Sequence, residues 1–148
     1  MEQVIPADTA LLKDINMIIG IGIDIIEISR IKKSIDKYKD HFLDKIFTPG
    51  EIEYCNSKAN KYQHYAARFS AKEAVAKAMS TGWNNEFSWQ NIEVFNEPTG
   101  MPYVKLTGKL ESFLADGKEL KISMSHSQDY TTCVAIIYKS DQSAIRTL

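Results

Sequence analysis

Lys121-Ile-Ser-Met-Ser-His126 alternates polar and apolar side chains, and Thr131-Thr-Cys-Val-Ala-Ile-Ile-Tyr138 is a nearly unbroken apolar run. Period-two alternation spells a half-buried strand, and a short apolar run between polar residues spells a buried one. With Ser127–Tyr130 as the turn, the two predict an antiparallel hairpin. Upstream, Ile92–Phe95 and Tyr103–Thr107 read as two more strands around the turn cluster Asn96-Glu-Pro-Thr-Gly-Met-Pro102. Residues 108–116 read as a short helix. Further upstream the period changes. Asn60 to about Ser80 is Ala-rich and free of Gly and Pro, which predicts a long helix ended by Gly82. Thr48-Pro-Gly-Glu51 is a helix start, with Thr48 as cap, Pro49 in the first turn and Glu51 closing a capping box, and its helix runs through about Ser57. Residues 27–39 carry Ile28, Ile31 and Ile35 at helical spacing. Ahead of them, Met17-Ile-Ile-Gly-Ile-Gly-Ile-Asp-Ile-Ile26 reads as a buried strand. A strand, several helices and then an antiparallel meander predict an α+β fold, with an antiparallel sheet packed with helices.

The 148 residues suit one domain and are long enough to bury a core without disulfides or a structural metal. No repeat or linker divides them, so residues 17–148 are expected to form that domain, with 139–148 a short C-terminal tail. Residues 1–16 precede a natural-looking first residue, Met17. They are expected to be a leader outside the core, from an upstream start site or appended in expression. They hold one Lys and three acids, a net of −2, which leaves +1 on residues 17–148 against −1 for the whole chain. A charge this close to zero argues against a nucleic-acid binder. Cys55 and Cys133 have no ligand-like neighbours and read as free thiols of a reducing compartment. The longest uncharged run near the N-terminus, Ile15–Ile23, is far too short to cross a membrane, and the acidic N-terminus does not fit a signal peptide. The expected location is the cytoplasm.

Five features could carry chemistry. Gly20-x-Gly22 follows an apolar strand, but the third glycine of a dinucleotide fingerprint is replaced by Ile25. Asp24 lies inside an apolar run, where an acid is costly unless paired or bound to a metal. It could equally cap the next helix. On a helical wheel Glu73 shares a face with Ala66, Phe69 and Ala76, although Lys77 one turn on allows an ordinary surface pair. His126 ends the face of Ile122 and Met124, as a core histidine or a catalytic one would. Its flanking Ser125 and Ser127 lack the glycines of a nucleophile elbow. Arg30, Lys33 and Lys37 form one helical stripe, either a solvated face or a docking strip for an acidic protein.

Together these segments resemble the holo-acyl-carrier-protein synthases, small 4'-phosphopantetheinyl transferases. The matching residues are Gly20-Ile-Gly-Ile-Asp24, Arg30-Ile31, Phe47-Thr-Pro-Gly-Glu51, Ala67-Arg-Phe-Ser-Ala-Lys-Glu-Ala-Val-Ala-Lys-Ala78, Thr99-Gly-Met-Pro102 and Ser123-Met-Ser-His-Ser127. They occur in the family's order across about residues 17–138. The resemblance implies transfer of the phosphopantetheine arm of coenzyme A to a serine of apo-acyl carrier protein, a step in fatty acid biosynthesis. It implies Mg²⁺ on Asp24 and Glu73, with catalytic roles for both acids, Lys77 and His126. It places Arg68, Lys77, Gly100, Pro102 and His126 on coenzyme A, and Arg30, Lys33 and Lys37 on the carrier protein. It also implies a homotrimer with sites between subunits, and neither nucleic acid nor membrane as partner. The competing expectation is a non-catalytic module that binds coenzyme A or an acidic carrier protein. Such a module would tolerate loss of Asp24 or Glu73.

Overall fold

In chain order the computed structural model contains β1 (Met17–Glu27), α1 (Ile28–Ile46), α2 (Pro49–Asn56), α3 (Lys61–Met79), β2 (Ile92–Asn96), β3 (Pro102–Leu106), β4 (Lys118–His126) and β5 (Tyr130–Lys139). The structure describes residues 17–80 and 87–139. The leader, Gly82 and residues 140–148 of the tail lie outside the described residues. The hairpin forms as its alternation predicts, with β4 antiparallel to β5 and His126 opposite Thr131. β1 adds to the other edge of β5, giving the order β1-β5-β4, while β2 and β3 form a separate antiparallel pair. The helix expected over 108–116 is a 3₁₀ segment, Gly108–Leu114. The one expected over 27–39 continues to Ile46 after a break at Lys39, whose φ is 49°.

α3 is the axis of the molecule. Tyr65, Ala66, Ser70, Ala74, Ala78 and Val75 are all buried, although they fall on different sides of the helix. A helix buried over most of its circumference needs neighbours on several sides. Ala71, Ala74 and Ala78 meet β5 at Cys133, Ala135 and Ile137, and Val75 and Met79 share the same cluster with Ile92 and Val94 of β2. Tyr65 and Ala66 pack with Ile31, Ile35, Phe47 and Cys55 in a second cluster. Both cysteines are free and buried, and burial pushes each thiol up to about 12, which makes them inert at neutral pH.

The two glycines of β1 serve this packing. A Cβ on Gly22 would overlap the carbonyl oxygen of Ala74, and one on Gly20 would overlap that of Ala78. Gly-x-Gly is therefore a strand–helix contact rather than a phosphate turn. Contrary to expectation, β1 is only half-buried. Ile21, Ile23 and Ile25 are 60%, 65% and 67% exposed. The physical reason is that β1 is an edge strand with α3 on one face, and among the described residues no element packs on the other, so these residues cover one side of the apolar run.

The capping box at α2 forms as predicted, with Glu51 N–H donating to Thr48 Oγ1 at 3.2 Å and Thr48 N–H to Glu51 Oε2 at 2.9 Å. Glu51 does more than cap. Its Oε1 accepts from Val94 N–H at 2.9 Å, and its Oε2 lies 2.8 Å from Lys72 Nζ, with both side chains 1% exposed or less. Lys72 also donates to the carbonyls of Trp89 and Ile92. One buried ion pair thus ties α2, α3 and β2 together and sets where α3 sits against the sheet.

Candidate active site

Beyond the two glycines, Asp24 keeps the same side of β1 as Gly20 and Gly22 and therefore faces α3. Lys77 Nζ lies 2.9 Å from Asp24 Oδ1 and donates to the Ile23 carbonyl at 3.0 Å. The Thr132 hydroxyl donates to the Asp24 carbonyl at 2.7 Å and fixes the strand beneath the carboxylate. One turn before Lys77, Glu73 is half-buried. Burial, and then the negative charge of Asp24, hold the Glu73 carboxyl above the usual glutamate range, partly offset by Lys77. Glu73 therefore does not form the surface pair with Lys77 that the spacing allowed. The ammonium goes to Asp24, and Glu73 is left as a partly desolvated acid within the field of a second one.

This pair is a fitting donor set for a small divalent cation. Among the described residues no group of three or more His, Cys, Asp and Glu side chains converges, so these residues offer a cation at most two such side chains at one point. Mg²⁺ takes one or two carboxylates and completes its shell with phosphate oxygens and water. A cation between Asp24 and Glu73 would also remove the repulsion that raises the Glu73 carboxyl.

Five residues back along α3, about 7.5 Å at the helical rise, Arg68 lines a cleft of about 260 Å³ with Gly100, Pro102 and His126. Arg68 Nη2 donates to Asn96 Oδ1 at 3.0 Å, and Asn96 Nδ2 donates to the Gly100 carbonyl at 3.2 Å. The β2–β3 turn is thereby latched to the guanidinium. Gly100 has φ of +89°, a conformation that side-chain-bearing residues resist. Arg68 stacks over the Tyr54 ring at 3.9 Å, and its buried Nε–H has no acceptor among the described residues. His126 also borders a second cleft of about 230 Å³, lined by Ile25, Ser125, Tyr130 and Thr132. Ser127 caps the hairpin turn, its Oγ accepting from Asp129 and Tyr130 N–H, so it is occupied structurally.

Four of the five residues expected on coenzyme A thus share one cleft. Lys77 instead stands with the carboxylates, and Asp24 and Glu73 lie outside the cleft lining. Arg30, Lys33 and Lys37 are exposed on α1 and, among the described residues, form no ion pair with an acid, whereas Lys32 pairs with Asp36 at 2.6 Å. The backbone N–H of Ile28 donates to the Asp129 carbonyl at 2.8 Å, which joins the start of this helix to the turn after His126. The sequence reading missed Tyr54, His64 and Asn96. For His64 a signal existed, because it precedes Arg68 by one helical turn.

Comparison with known proteins accounts for this arrangement. Residues 20–135 match the family model of the 4'-phosphopantetheinyl transferase superfamily. A holo-[acyl-carrier-protein] synthase of Chlamydia trachomatis serovar D is 50% identical over 117 residues, covering 79% of this chain and 97% of its own. The crystal structure of the synthase from Neisseria meningitidis matches with a TM-score of 0.75 and 32% identity, over 82% of this chain and 98% of that one. The Helicobacter pylori synthase, solved in complex with coenzyme A, matches with a TM-score of 0.70 and 32% identity, over 79% of this chain and 98% of that one. An α+β chain with an acid in its first strand, a second acid on the helix that strand packs against, and an arginine-floored cleft beside them thus belongs to the 4'-phosphopantetheinyl transferase superfamily, among its holo-[acyl-carrier-protein] synthases.

Proposed function

We propose that this chain transfers the 4'-phosphopantetheine group of coenzyme A to a serine hydroxyl of apo-acyl carrier protein and releases adenosine 3',5'-bisphosphate. The observation that carries the reading is a pair of electrostatically coupled carboxylates, Asp24 on β1 and Glu73 on α3, together with a cationic cleft floored by Arg68 of the same helix. Coenzyme A carries a pyrophosphate and a separate phosphomonoester, so it needs two anion sites. In the reaction the serine oxygen forms a bond to the phosphorus next to the pantetheine arm, and the bond from that phosphorus to the bridging oxygen breaks. The serine proton leaves to a base, and the bisphosphate departs with the bridging oxygen. Catalysis of this kind is mainly positioning and neutralisation of charge.

Asp24 and Glu73 would hold Mg²⁺, which when bound neutralises pyrophosphate charge. Lys77, paired with Asp24, brings its ammonium to the same phosphates. Arg68 and His126 contact phosphate within the cleft, while Gly100 and Pro102 form its rim on the nucleotide side. His126, exposed between two clefts, is also placed to handle a proton. Arg30, Lys33 and Lys37 dock the carrier protein, whose approach to His126 is favoured by the bond from α1 to the adjoining turn.

The assembly is a homotrimer with sites between subunits. Support comes from β1, whose Ile21, Ile23 and Ile25 present a continuous apolar face beside Val134 and Ile136 of β5. A patch of this kind marks an interaction surface. No helix among the described residues is long and apolar enough to cross a membrane. The enzyme works in the cytoplasm, where its two thiols stay reduced. The test is the mass of apo-acyl carrier protein after incubation with the protein, coenzyme A and Mg²⁺. One phosphopantetheine adduct per carrier is expected. An unmodified carrier would overturn the reading in favour of a binding module.

A further inference from the structure

His64 stands four residues before Arg68 on α3 and lines the same cleft, with His126 facing it from β4. Among the described residues no acidic side chain lines that cleft. The His64 ring packs edge-on against Tyr54 at 5.7 Å between centroids, and among the described residues neither ring nitrogen has a hydrogen-bond partner. On the cleft floor Arg68 is 2% exposed, and its Nε–H lacks an acceptor. A buried guanidinium with an unmet donor, beside an imidazole with two unused nitrogens, is an unfinished anion site.

Resting on the functional reading above, we propose that His64 is a proton-linked phosphate ligand, becoming an imidazolium when a phosphate group of coenzyme A enters beside Arg68. Among the described residues the groups that face it are cationic or neutral: Arg68 from its own helix, Lys58 from the segment after α2, Tyr54 from α2 and His126 from β4. Burial, then the charges of Arg68, Lys58 and His126, hold the imidazole below its ordinary value, so it is neutral in the free protein at neutral pH. An arriving phosphate, carrying about −1.5 to −2 charge as a monoester, reverses the sign of that field. The imidazole then gains a proton and donates a charge-assisted hydrogen bond. By linkage, the affinity that His64 contributes is present below its ligand-bound pKa and is lost as pH rises through it. The monoester itself gains a proton near pH ~6, so the His64 share is the difference between wild type and a variant.

Calorimetric titration with coenzyme A in two buffers of different ionisation heat, at about pH 7, measures the protons taken up on binding. Wild type should take up a fraction of a proton that His64→Gln does not. The Kd of the variant should be weaker on the order of tenfold at about pH 6.5, the scale of one hydrogen bond to a charged group, and equal to wild type at about pH 9. His64→Phe keeps the ring against Tyr54 and should behave like His64→Gln, which separates proton binding from packing. Repeating the titration with dephospho-coenzyme A identifies the phosphate. Loss of the wild-type-to-variant difference assigns the monoester and its persistence assigns the pyrophosphate, and both keep His64 as ligand. Equal proton uptake by wild type and both variants, or a Kd ratio that does not change with pH, would overturn the inference while the transferase reading stood. Failure of wild type to bind coenzyme A would overturn both.

Discussion

Asp24 and Glu73 are two carboxylates on packed elements with one ammonium shared unequally between them. Lys77 sits on Asp24, and Glu73 is raised by burial and by its acidic neighbour. An acid whose folded-state pKa lies above its unfolded one favours folding while protonated, and that advantage is lost as pH rises through the folded value. Glu73→Gln should therefore raise the melting temperature of the metal-free protein at about pH 7.5 and leave it unchanged at about pH 4. Half exposure limits the gain to about 1 kcal/mol or less, or at most about 4 °C for a chain of this length. Added Mg²⁺ should raise the melting temperature of wild type and not of the variant. A variant less stable than wild type at neutral pH without metal would contradict the electrostatic account. The wheel placed Glu73 among apolar neighbours, and the structure half-buries it. The wheel could not reveal that Lys77 would leave its i,i+4 neighbour for an aspartate 53 positions away. That choice depends on a strand–helix contact that local pattern does not encode.

The element that creates that contact is β1 lying against α3. Gly20 and Gly22 let the strand backbone approach the Ala74–Ala78 turn, which brings Asp24 to the level of Glu73 and Lys77. Gly22→Ala should destabilise the protein by about 3 kcal/mol or more, because the added methyl meets backbone rather than a movable side chain. Denaturant unfolding measures this, and a loss below about 1 kcal/mol would show that the helix can retreat. In sequence, Gly-x-Gly after an apolar run looks like the start of a phosphate loop, because its neighbours give no hint of a helix fifty residues on. Glu51 shows the same boundary. Its capping box was legible in four consecutive residues, whereas its buried pairing with Lys72 joins elements that only the tertiary fold brings together.

At the scale of the whole molecule, the apolar run of β1 was legible as a strand but not as an edge. Unbroken hydrophobicity signals burial on both faces, and the described residues cover only the face toward α3. The remaining face of isoleucines belongs to the proposed assembly. Ile23→Lys should lower the sedimentation-derived mass toward that of one chain while circular dichroism stays unchanged. A mass equal to that of wild type would remove this face from the interface. The near-neutral chain likewise hides a local division of charge, with acids at the base of β1 and α3 and unpaired cations along α1 and in the cleft.

The carboxylate pair is the centre of the proposed transfer reaction. Single-turnover transfer to apo-acyl carrier protein, at saturating coenzyme A and Mg²⁺, compares wild type with Glu73→Gln most directly. The variant's rate should be lower by about a hundredfold or more, with the fold and coenzyme A binding in the Arg68 cleft retained. A wild-type rate from Glu73→Gln would contradict this role of the pair.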